Sequence, residues 1–98
     1  VRVDWTDLAL DRIDEIGRHI AEDNLDAAVR WTTGLFDAAD RLSEFPESGR
    51  MVPEPEAREV RELVYGAYRV FWHVGDSIRV LSVRHGSQLI SDEDVSGD

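Results

Sequence analysis

The chain contains no cysteine and no lysine among its 98 residues. The first absence excludes disulfides and thiolate metal sites. It suits a reducing compartment, so a cytoplasmic location is expected. No run approaches the ~18 consecutive apolar residues of a membrane-spanning helix, so no membrane partner is expected. The opening, Val1 to Trp5, has no apolar segment of signal-peptide length. There is also no glycine-rich phosphate loop and no His-Glu-x-x-His zinc motif. The three histidines, His19, His73 and His85, lie far apart in sequence. His19 falls on the polar side of a helical pattern and reads as solvated. No metal and no cofactor are expected.

Without lysine, every basic residue is arginine: 11 arginines stand against 21 acids, and the net charge is −10. The charge is uneven. Residues 1–47 carry −7 and residues 91–98 carry −4, whereas residues 58–90 carry +2. So acidic a composition favours solubility, would suit a salty cytoplasm, and is not that of a general nucleic-acid binder. An anionic partner should meet the one locally basic segment.

That segment, Arg58 to His85, reads as three consecutive strands. Tyr68 to Val74 is rich in aromatic and β-branched residues, and Gly66 and Gly75 mark the turns on either side. Alternation places Tyr68, Val70, Trp72 and Val74 on one face, taken as the core. Arg69, Phe71 and His73 fall on the other, taken as the working surface. Upstream, Val1 to Trp5 alternates as a short strand. Thr6 is positioned to cap a helix carrying Leu10, Ile13, Ile16, Gly17 and Ile20 on one stripe. Asn24 separates this helix from a second, expected over Leu25 to Phe45 and ended by Pro46. Two long helices so joined should form an antiparallel hairpin, and the sheet should cover its apolar stripe. Residues 46–57 hold all three prolines and read as a loop. The expected fold is α+β: an N-terminal strand, a two-helix hairpin and a three-stranded antiparallel sheet. It forms one domain over residues 1–90, with an acidic, frayed tail over 91–98.

Chemistry concentrates on the sheet. Arg61, Arg69, Arg84 and His85 come from three adjacent strands, and Arg50 comes from the preceding loop. Together they would make a cationic concavity able to hold a phosphate or carboxylate, with histidine as a proton carrier. In the plainer reading these arginines pair with Glu59, Glu62 and neighbouring acids. The acids of the first helix have the spacing of a solvated face rather than of a catalytic pair. Ser77, Ser82 and Ser87 have no nucleophile signature.

The ordered set Pro46-x-x-Gly49-Arg50-x-Val52-Pro53-Glu54, Val60-Arg61-Glu62-Leu63, Gly66-x-Tyr68-Arg69-Val70 and Val83-x-His85-Gly86 resembles the RelE/ParE superfamily of type II toxin–antitoxin toxins. The resemblance runs from the first strand through Gly86. It implies a small toxin held by a cognate antitoxin in a hetero-oligomer. RelE-like members cleave mRNA on the ribosome, and ParE-like members act on DNA gyrase. Arg69, after Tyr68, matches an arginine that RelE-like enzymes use. Val60 and Glu62 stand where those enzymes carry a lysine pair, and Asp92 falls near the place of their final tyrosine. The Gly49-Arg50 loop and the Val60–Leu63 strand resemble the ParE side more closely. The resemblance therefore implies a ParE-like toxin, with Arg50, Met51, Val52, Arg61, Phe71 and His73 facing target or antitoxin. The alternative is a RelE-like nuclease using Arg69, Arg84 and His85. A third reading, prompted by the acidity, is an interaction module without toxicity.

Overall fold

The computed structural model describes residues 2–52, 59–86, 88 and 91–95. Strand β1 (Val3–Trp5) leads into helices α1 (Asp7–Asp23) and α2 (Leu25–Asp40). Strands β2 (Arg50–Met51), β3 (Val60–Tyr65), β4 (Tyr68–Val74) and β5 (Ile78–His85) follow, and then a short helix α3 (Asp92–Val95). The sheet is five-stranded, in the order β1-β5-β4-β3-β2. It is mixed, because β1 runs parallel to β5 while the remaining neighbours are antiparallel. The three expected strands form its centre, and β1 and β2 extend its edges.

Single side chains set the helix boundaries. Thr6 Oγ1 accepts from the Ala9 amide at 3.0 Å and donates to the Leu81 carbonyl at 2.6 Å, so one hydroxyl caps α1 and ties it to β5. Asn24 ends α1 by donating its amide to the Ile20 carbonyl at 3.0 Å. It also starts α2 by accepting from the Ala27 amide at 3.0 Å. The second helix stops at Asp40, earlier than expected, and continues only as one 3-10 turn, Arg41–Ser43. Phe45 therefore lies exposed rather than in the core.

The helices cover one face of the sheet. Ala9, Ile13, Leu35 and Leu42 pack there on Val70, Trp72, Ile78, Val80 and Val83. The Trp72 indole N–H donates to the Pro46 carbonyl at 3.1 Å, so this buried aromatic leaves no orphan donor. Gly49 is required beside it, since a Cβ would run into the Trp72 ring and the Glu62 carbonyl. Gly66 opens the β3–β4 hairpin with φ at 59°, as a two-residue turn of the primed class demands. Gly75 has no positive φ; its amide donates to the Ser77 carbonyl at 3.0 Å to close the other hairpin.

One irregularity sets the directions of β5. Trp72 pairs with Val80 and Phe71 with Ser82, which leaves Leu81 as a bulge. Ile78, Val80 and Val83 thus all reach the helix-side core, while Leu81 joins a second cluster with Val52, Val60 and Phe71 on the outer face. That cluster overturns one expectation. Phe71 is 0% exposed and Val52 is buried beside it, so neither presents an apolar surface to a partner. The C-terminal segment differs too. Residues Asp92–Val95 form α3, and Val95 packs against the second cluster.

Candidate functional site

Directly paired residues in a sheet project to the same face. On the outer face Arg69 stands beside Arg84, Glu62 lies between Arg50 and Phe71, and His73 lies between Val60 and Arg79. Arg61 and His85 do not join them. Arg61 pairs with Trp72 and His85 with Tyr68, both on the helix side. There the Arg61 guanidinium donates to the carbonyls of Glu47 at 3.1 Å and Gly49 at 3.0 Å, fastening the loop before β2. The His85 ring meets Tyr68 edge-on with centroids 5.4 Å apart. Met51, opposite Arg61, is 49% exposed. His73 lines a shallow pocket of about 330 Å³ with Glu59, Asp76 and Arg79.

The outer face is not an open cationic concavity. Arg50, Arg69 and Arg84 converge on two buried carboxylates. Glu62 is 1% exposed and accepts from Arg50 Nε on one oxygen and from Arg69 Nε on the other, each at 2.5 Å. The Arg69 guanidinium also lies 4.9 Å from the centre of the Phe71 ring. Asp94 is 0% exposed and accepts from Arg84 Nε, while Arg12 of α1 approaches its other oxygen at 3.7 Å. Arg12 also pairs with Glu93 at 2.5 Å. Burial opposes ionisation of Asp94. The Ser91 amide and hydroxyl, with Arg84, outweigh it and hold the carboxyl below the ordinary carboxylate range. Pairing with acids near in sequence thus accounts for Arg50 and Arg69, through Glu62.

Sequence reasoning missed Arg12, Glu93 and Asp94, since Arg12 and Glu93 lie 81 positions apart. It also missed a groove of about 510 Å³ on the far side of the molecule, between α1 and α2. Leu10, Ile13 and Gly17 form one wall, and Leu25, Ala28 and Val29 the other. Leu25 and Val29 are exposed and fall one helical turn apart, a second stripe on α2 that the sequence does show. Among the described residues no His and acidic side chains cluster so as to hold a metal ion, and no helix is long and apolar enough to cross a membrane.

This arrangement of elements is shared with solved structures of toxin–antitoxin systems. The chromosomal ParDE system from P. aeruginosa superposes with a TM-score of 0.73 at 20% identity, over 87% of this chain and 95% of that one. The RelBE2 toxin–antitoxin complex from Mycobacterium tuberculosis gives 0.56 at 23% identity, over 86% and 95%. In sequence, the chain is 37% identical to Y4kP of Sinorhizobium fredii over 89 residues, 89% of this chain and 90% of that protein. It is 33% identical to Toxin RelE2 of Caulobacter vibrioides over 90 residues, 90% and 98% of the two chains. Fold and relatives together define a type II toxin of the ParE/RelE superfamily. Within it, the chain belongs to the family described as the ParE toxin of the type II toxin–antitoxin system parDE, whose profile matches residues 3–90.

Proposed function

We propose that the protein arrests growth by binding DNA gyrase rather than by cutting RNA, and that a cognate antitoxin neutralises it. One observation carries this reading: Glu62 occupies the centre of the outer face and pairs with both Arg50 and Arg69. A nuclease needs cations directed at the phosphate in its transition state. Here Arg69 is directed at a buried carboxylate, Arg84 at another, and His85 projects to the opposite face. Membership of the ParE family supports the same conclusion. The antitoxin would lie in the apolar groove between α1 and α2, where exposed Leu10, Leu25 and Val29 leave an unfilled surface.

The test is biochemical. Purified chain is mixed with gyrase and relaxed plasmid, and both supercoiling and trapped cleaved DNA are followed. Inhibited supercoiling with accumulated breaks is the expected result. During induced expression, thymidine incorporation should fall before amino-acid incorporation. The opposite order, with new transcript ends inside codons, would establish the ribosomal nuclease instead.

A further inference from the structure

One pocket gathers charges that the fold leaves unpaired. Where β4 turns into β5, His73, Asp76 and Arg79 border a cavity of about 330 Å³ together with Glu59, which immediately precedes β3. His73 and Arg79 are direct cross-strand neighbours, so imidazole and guanidinium stand side by side on the outer face. Glu59 adjoins the Val60 that pairs with His73, and Asp76 comes from the turn. Among the described residues no hydrogen bond or ion pair engages any of these four side chains. Asp4, on the other side of Arg79, is taken by Arg2 at 2.9 Å and by the Ser77 hydroxyl at 2.9 Å, and Arg79 acts on it at longer range. Elsewhere on this face Arg50, Arg69 and Arg84 are held by buried carboxylates, and Arg79 is not. The backbone adds a second observation. Glu59 is the one non-glycine residue with positive φ among the described residues. Glycine would fit that conformation better, and a strained residue retained at a cavity mouth points to a use for its side chain.

We infer that this pocket binds a small dipolar ligand of the basic amino-acid class, with one carboxylate and two cationic groups. Arg79 takes the carboxylate in a bidentate fork, with His73 as a further donor beside it. Glu59 and Asp76 take the two cations. Charge selects the class. Two carboxylates against one guanidinium leave a net charge of −1 with the imidazole neutral, and a basic amino acid carries the opposite charge. A plain anion would meet two carboxylates, and a diamine would leave Arg79 without a partner. Size agrees, since the cavity lies near the lower end of the ~300–1,000 Å³ range of ligand pockets and suits one amino acid better than a nucleotide. The inference stands whichever macromolecule the toxin acts on.

The test titrates the full, isotope-labelled chain with L-lysine at constant ionic strength and follows the amide resonances. Those of Glu59 and residues 73–79 should shift and saturate, while those of α1 and α2 stay in place. L-glutamate lacks the second cation and cadaverine lacks the carboxylate, so each should bind roughly tenfold or more weakly than L-lysine. Arg79→Gln and Glu59→Gln should each weaken L-lysine binding by about the same factor. Both side chains are exposed, so the fold survives either change. Equal binding of L-lysine and cadaverine, or undiminished binding of L-lysine to Arg79→Gln, would overturn the inference. So would the absence of any saturable shift in the unmodified chain up to roughly 50 mM L-lysine, a result that depends on no variant.

Discussion

The two faces of the sheet are closed by different means. On the helix side, Trp72, Val70, Ile78, Val80 and Val83 meet an apolar helix layer. On the outer side a small cluster around Phe71 is flanked by arginines, of which Arg50, Arg69 and Arg84 pair with two buried carboxylates. Apolar burial is nearly indifferent to pH and salt, whereas ion pairs respond to both. The helix-side face therefore fixes the fold, and the outer face is where conditions or partners can change the molecule.

That contrast can be broken from either side. Trp72→Ala should cost about 3–5 kcal/mol, by loss of burial and creation of a cavity, in low and high salt alike. Urea unfolding at two ionic strengths measures it; a cost that changed strongly with salt would deny the division between faces. Glu62→Gln should cost about 2–3 kcal/mol, because a buried carboxylate that pairs with Arg69, whose side chain is only 12% exposed, loses its charge. Arg50→Ala should cost much less in the same assay, since that side chain is 67% exposed.

Acid separates the faces further. The folded-state pKa of Asp94 lies below its ordinary 3.8, so its stabilising contribution is complete above that value and is lost as pH falls through the lowered one. The difference in melting temperature between the unmodified chain and Asp94→Asn should thus be largest near neutrality and vanish in strong acid. The difference produced by Trp72→Ala should show no such titration. The smallest effect concerns Glu59, which enters β3 with φ at 62°. Glu59→Gly should relieve about 1 kcal/mol of left-handed strain, read as a small rise in the urea midpoint.

Local signals were legible in the sequence. The Thr6 and Asn24 caps, the helical stripes and the hairpin at Gly66 depend on residues within a few positions of one another. The strand order around β4 followed from two short turns. Phe71 was misassigned because period-two alternation says which residues share a face, not whether that face is covered. Its cover comes from Val52, 19 positions upstream, and from Val95. The end of the chain read as frayed because its charge density was high. Nothing local announces that Arg12 and Arg84 await those charges. The two-residue β2 is too short for any periodicity. Arg61 and His85 were grouped with Arg69 because adjacency of strands was read as adjacency of side chains. Alternation alone separates the neighbours Arg84 and His85, and the phase slip from Ile78 and Val80 to Val83, visible in β5, would have put Arg84 on the outer face and His85 on the helix side.

The bulge at Leu81 makes this strand unequal in its response to changes of length. Removing that one residue would let Val80 and Ser82 follow each other opposite Trp72 and Phe71, with every other side chain of the strand keeping its present face. Adding a residue nearby offers no such resolution. It would enlarge the bulge or turn Val83 outward and Arg84 toward the helices. A deletion here would cost the Leu81 side chain and the Thr6 contact but leave the faces of β5 in place, whereas an insertion that the bulge did not absorb would reverse them.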